Sequence, residues 1–206
     1  MWVSPRHIRD KPPETVDEKI EIFIAQVDGW HLEVADRCIN GWQVNGQECI
    51  SAIDLKGNRT KHIPDSGWAA LQMVLNYFEV IGYYKLGIIE MKWGASAKRF
   101  DAGGLDVFPH LENYSANVPE LLRQELRNGL YHVGISGRVI LRHVEPIIDI
   151  SYDKQLGTVI IDPHAFIPSL RAHFRAYATQ LRNPLEVEIR TQFNRAFDTY
   201  HNQIEK

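Results

Sequence analysis

From Asp162 onward, large apolar residues return at mostly every third or fourth position. The series is Phe166, Leu170, Phe174, Tyr177 and Leu181, then, beyond a break at Asn183-Pro184, Val187, Ile189, Phe193, Phe197 and Tyr200. A period near 3.6 sustained this long demands two amphipathic helices, and their apolar faces must be buried against other helices. The same period recurs upstream. Thr15 can cap a helix from about Val16 to Ile39, with Glu18 at the reciprocal capping-box position and Ile20, Phe23, Ile24, Val27, Leu32, Ala35 and Ile39 along it. A second helix, capped near Asp65 or Ser66, runs through Ala69, Leu71, Met73, Val74, Leu75, Phe78 and Ile81. It is apolar around much of its circumference and is expected to be the most buried. A third runs from about Val118 to His132, with Asn117 as cap, Pro119 in the first turn and Gly134 and Gly137 as terminators. The fourth opens at Asp162-Pro163, and the last covers about Leu185 to Ile204. The expected fold class is therefore mainly α, a bundle of four to five helices.

Three segments break the helical pattern. Residues 1–15 carry Pro5, Pro12 and Pro13 and predict a flexible N-terminal arm, leaving 16–206 as a single helical-bundle domain. Residues 40–64 hold Asn45-Gly46 and Gly57-Asn58 around Cys49–Leu55, and residues 138–161 hold two β-like runs, Val139–Arg142 and Thr158–Ile161. Both segments predict small β-hairpin insertions. Residues 86–116, with several glycines and Phe108-Pro109, predict a long connection with some short helix.

Composition removes several classes of function. With 44% hydrophobic and 24% charged residues the chain can build a core, and a net charge of −3 lacks the broad basic field of a nonspecific nucleic-acid coat. Cys38 and Cys49 are too few for a disulfide framework and predict two free thiols. No apolar run approaches the ~18 residues of a membrane span, and the N-terminus has no signal-like apolar stretch, so a cytoplasmic location is expected. The phosphate-cradling Gly-x-x-x-x-Gly-Lys-Ser/Thr run, the Gly-x-Gly-x-x-Gly turn, His-Glu-x-x-His and Gly-x-Ser-x-Gly are all absent. Asp28/His31 and Asp198/His201 could each present two ligands on one helix face, but pairs of this kind are commonly just solvated, so neither a metal nor another cofactor is expected.

What remains is the end of the third helix, Leu126-Arg127-Asn128-Gly129-Leu130-Tyr131-His132-Val133-Gly134. An arginine followed by a polar residue, with a histidine five positions on, resembles the Arg-x(4–6)-His signature of the HEPN superfamily, small helical bundles many of which are metal-independent ribonucleases. The spacing also occurs at Arg138/His143 and Arg195/His201. The former lies in a β-like run, and the latter is followed by Ala196. The resemblance implies an RNA endonuclease, a toxin or defence effector, that works as a homodimer with the motifs of both protomers facing one cleft and an antitoxin protein as a possible partner. Arg127, permanently charged, would clamp phosphate oxygens; His132 would be the general acid or base; Asn128 would orient either group. Arg123, one turn earlier, and Tyr131 are the candidate substrate-binding residues, with Lys98 and Arg99 as a further solvated cationic pair.

Helical geometry sets a condition on this assignment. At 100° per residue, positions 127 and 132 lie about 140° apart, so they converge only if the helix distorts or a second protomer completes the site. Two other readings stay open. One is a noncatalytic helical binding module. The other is a small-molecule enzyme that uses Trp68, Tyr77 and other aromatic residues as a pocket.

Overall fold

Helix formation begins where the capping chemistry places it. The Thr15 hydroxyl accepts from the Glu18 amide at 3.2 Å, and the Glu18 carboxylate accepts from the Thr15 amide at 3.2 Å, closing the capping box. In this computed structural model the described residues are 2–4, 7–9, 11–40, 42–44, 47–49, 52–53, 59–60, 67–90, 92–130, 137–142 and 148–204, with side chains for 11–40, 67–90, 92–127, 137–142 and 148–202. Helix α1 (Val16–Val27) passes through a π-helical turn at Asp28–Leu32 into α2 (Glu33–Asn40). Ile20, Phe23, Val27, Leu32, Ala35 and Ile39 all face the core, as their spacing requires.

The second expected helix is two, α3 (Gly67–Val74) and α4 (Asn76–Tyr84), separated by a turn at Leu75. Its central position holds: Leu71, Val74, Phe78 and Ile81 are fully buried. The expected caps Asp65 and Ser66 lie outside the described residues.

Residues 86–116 depart from expectation. They contain a full helix, α5 (Ala95–Val107), followed by a 3₁₀ turn at Pro109–Asn113. Gly103 within α5 is a packing residue rather than a breaker, and it meets Gly82 of α4. A Cβ at Gly82 would fall on the backbone carbonyl of Arg99, 2.6 Å from the Arg99 Cα, and one at Gly103 would fall on the carbonyl of Phe78. Glycine at both positions lets α4 and α5 cross with their backbones in contact. Gly94, with φ 83°, starts the helix from the left-handed region that side chains avoid.

Helix α6 (Val118–Leu122) is capped as expected, Asn117 Oδ1 accepting from the Glu120 amide at 3.2 Å. From Arg123 to Leu130 the winding is π-helical. Asp162 caps α7 (Pro163–Arg182) by accepting from the His164 amide at 3.0 Å, and α8 (Val187–Ile204) follows the break at Asn183-Pro184. Phe23 of α1 sits between these helices, its ring 5.9 Å from Phe174, 6.3 Å from Tyr177 and 5.1 Å from Phe193, each pair edge-on. Burying each such ring contributes about 1.5–3 kcal/mol.

The β structure is small in extent, although Val139, Ile150, Val159 and Ile161 belong to the core. Three antiparallel hairpins join β1 (Trp2–Ser4) to β2 (His7–Arg9), β3 (Trp42–Val44) to β4 (Gln47–Cys49), and β5 (Ala52–Ile53) to β6 (Arg59–Thr60). The first lies inside the segment expected to be an arm. A single hairpin was expected at 138–161; the structure has a three-stranded sheet instead. Its strands β7 (Val139–Leu141), β8 (Ile150–Asp153) and β9 (Thr158–Ile161) lie in the order β7-β9-β8, with β7 parallel and β8 antiparallel to β9. The turn at Gly157 makes the β8–β9 hairpin legible in sequence. The buried run along β9 explains the rest, since a strand covered on both faces accepts neighbours on both edges. The coarse class, mainly α with small sheets, stands. Among the described residues no helix is long and apolar enough to cross a membrane.

Candidate functional site

Glu79 is a carboxylate on the helix whose neighbours Phe78 and Ile81 are fully buried, and a charge in such a place must be paired. It is paired twice. Glu79 Oε2 lies 2.6 Å from Arg127 Nη2, and Oε1 accepts from Arg99 Nη2 at 3.1 Å. The second nitrogen of Arg127, Nη1, donates to Ser96 Oγ at 2.7 Å, and its guanidinium sits 5.9 Å from the Phe100 ring centroid. Arg127 is thus held in one conformation between α4 and α5. These contacts use two of the five guanidinium donors, and the side chain remains partly exposed.

Arg99 is buried, not solvated as the Lys98-Arg99 pair suggested. It donates to the Glu90 carbonyl at 2.8 Å and lies 5.4 Å from the Tyr83 ring centroid. Arg123 takes a separate partner, Asp101, at 3.2 Å, with Glu120 at 3.8 Å. Burial holds the Asp101 carboxyl above its ordinary range, with the Arg123 charge acting against that shift. The two arginines therefore belong to different ion pairs rather than to a shared stripe. Asn128 lies in the π-helical segment, and its side chain falls outside the described set; Tyr131 and His132 lie outside the described residues altogether.

The π winding alters the geometric condition on the motif. Hydrogen bonds that close five residues on bring positions five apart closer around the axis than α winding does. Arg123–Leu130, which includes Arg127, is wound in this way.

Beside this ion-pair centre lies a cleft of about 430 Å³. Glu79 and Arg99 contribute to it, and Trp30, Tyr83, Tyr84 and Tyr200 line it with aromatic surface. Trp30 reaches it from the π turn at Asp28–Leu32, an extra residue in the helix that shifts its neighbours' facing. Trp68 and Tyr77, the aromatic residues singled out from sequence, do not line this cleft. In the Asp/His pairs, Asp198 is engaged with Lys19 at 2.6 Å, Asp28 with Arg171 at 3.8 Å, and His31 Nδ1 with the Met73 carbonyl at 3.2 Å, while His31 and His201 also line the cleft.

A third cluster was not foreseen. The Tyr77 hydroxyl lies 2.7 Å from His173 Nδ1, His173 Nε2 lies 2.9 Å from Asp106 Oδ2, and Lys85 Nζ reaches the same oxygen at 2.6 Å. A proton on Nε2, donated to Asp106, leaves Nδ1 to accept from Tyr77, and every member is then satisfied. Burial alone would raise the Asp106 pKa, but the hydrogen bonds from His173 and Lys85 outweigh it and hold the carboxyl below its ordinary range. Burial also keeps the Tyr77 hydroxyl protonated far above the usual tyrosine range. This network ties α4, α5 and α7 together. Its only sequence signal is a histidine amid the apolar periodicity of α7.

No protein-family model, curated protein or solved structure matches the chain.

Proposed function

We propose that the protein is an RNA endonuclease of HEPN type, in which Arg127 holds the scissile phosphate and His132 transfers protons. The observation that supports this reading is the π-helical winding of Arg123–Leu130, a departure from α geometry in the helix that carries Arg127. The clamp on Arg127 adds to it, since a phosphate-binding guanidinium fixed in advance by Glu79 and Ser96 loses little freedom when it engages substrate.

In the proposed step a base removes the proton from the ribose 2′-hydroxyl, and the 2′-oxygen attacks phosphorus. The bond to the 5′-oxygen breaks, and an acid protonates that oxygen, giving a 2′,3′-cyclic phosphate and a 5′-hydroxyl end. One histidine cannot be base and acid in the same event, so the histidines of two protomers divide the roles. Arg127 offsets the charge that grows on the phosphoryl oxygens.

The test is cleavage of total RNA in the presence of EDTA by the wild type, His132→Ala and Arg127→Ala, each verified as folded by circular dichroism. Chelator-resistant cleavage that disappears in both variants is expected. Equal cleavage by wild type and His132→Ala, or none by any of them, refutes it. Sedimentation that finds only monomer at assay concentration refutes the two-histidine division.

A second reading, a noncatalytic binding module, is favoured by the aromatic cleft and by the carboxylate partners that Arg123 and Arg127 already have. Absence of cleavage together with retained RNA binding selects it.

A further inference from the structure

The aromatic cleft has three properties that define its occupant. Trp30 and Tyr200 are 45% and 40% exposed, far more than buried packing residues, so the cleft presents open ring surface. Its lining carries one carboxylate and one guanidinium, Glu79 and Arg99, which are paired with each other and offset one another's charge. Burial also holds the His201 pKa down to about 4, so that imidazole adds no charge at neutral pH. Asn76 places among these rings an amide that both donates and accepts. A volume of about 430 Å³ falls within the range of small-ligand sites. A neutral, planar group with hydrogen-bonding edges satisfies all of these conditions; a free phosphate or an aliphatic chain does not.

We propose that the cleft receives one unpaired nucleobase of single-stranded RNA, stacked on the exposed rings of Trp30 and Tyr200, with Asn76 reading its edge. Glu79 makes the link to the neighbouring site: one carboxylate oxygen holds Arg99 in the cleft and the other holds Arg127, so a base seated here carries its own phosphate toward the arginine. The inference rests on the RNA reading above and adds to it a base subsite. Stacking on aromatic side chains tolerates any base, while the amide of Asn76 favours adenine, whose N6 and N7 match it.

The experiment uses the full chain carrying His132→Ala, so that cleavage does not consume the probe. Fluorescence anisotropy measures binding of a labelled A12 oligoribonucleotide and of an abasic oligomer with the same number of phosphates. Trp30→Ala and Tyr200→Ala should each weaken A12 binding by roughly 5- to 150-fold, the equivalent of one lost stacking contact. Trp30→Phe should restore most of the affinity. The abasic oligomer should bind weakly and be indifferent to all three changes. Equal binding of A12 and the abasic oligomer, an unchanged affinity in Trp30→Ala, or no binding by the parent overturns the subsite. The two proposals fail separately. Cleavage that persists undiminished in Trp30→Ala removes the subsite and leaves the nuclease, whereas Trp30-dependent binding without any cleavage does the reverse.

Discussion

Replacing Glu79 by glutamine keeps the shape of the side chain and removes the charge that two arginines share. The costs at the two arginines differ because their surroundings differ. The Arg99 side chain is 10% exposed, so its hydrogen bond to a charged acceptor is worth about 1.5–3 kcal/mol. Arg127 is 29% exposed, so water competes for it and its pair is worth about 0.2–1 kcal/mol. The sum is about 2–4 kcal/mol, and in a chain of this size that lowers the melting temperature by about 5–15 °C. Urea denaturation of Glu79→Gln, Arg99→Met, Arg127→Met and the two double variants resolves the terms as coupling energies. The coupling of Glu79 to Arg99 should exceed its coupling to Arg127. A total loss below about 1 kcal/mol, or the reverse order of couplings, would show that Glu79 does not organise this centre.

The α4–α5 crossing predicts a sharp contrast among neighbouring glycines. Gly82→Ala and Gly103→Ala drive a methyl group into backbone that cannot rotate away and should each cost about 1–3 kcal/mol. Gly104→Ala meets only side-chain atoms at ordinary contact distance, Pro119 Cβ at 3.5 Å and Phe78 Cδ2 at 3.7 Å, and should be neutral or gain up to about 1 kcal/mol from helix propensity. Thermal melts of the three variants check both halves of the comparison. His201 supplies a pH dependence. Its pKa is about 4 folded and 6.5 unfolded, so between these values the unfolded chain binds more protons and stability falls as pH drops. The half-exposed ring limits the effect to about 1 kcal/mol, and His201→Gln should remove that share of the slope between pH 6.5 and 4.

Sequence periodicity and capping chemistry by themselves determined most of the helical layout. Thr15, Asn117 and Asp162 are local signals acting on the next few amides, so their helices begin where those residues stand. The apolar faces of α1, α7 and α8 follow in the same way from spacing. Tertiary structure decided what depends on approach between distant segments. Gly103 reads as a breaker until α4 is placed against it, and β7 reads as half of a hairpin until β9 offers it a parallel edge. The candidate site divides along the same line. Arg127 was found from its own neighbourhood in the chain, whereas Glu79, Arg99 and Trp30 gain their meaning only from one another. A lone carboxylate in an apolar helix announces that it needs a partner, but the identity of that partner depends on which side chains the packed helices bring within 3 Å.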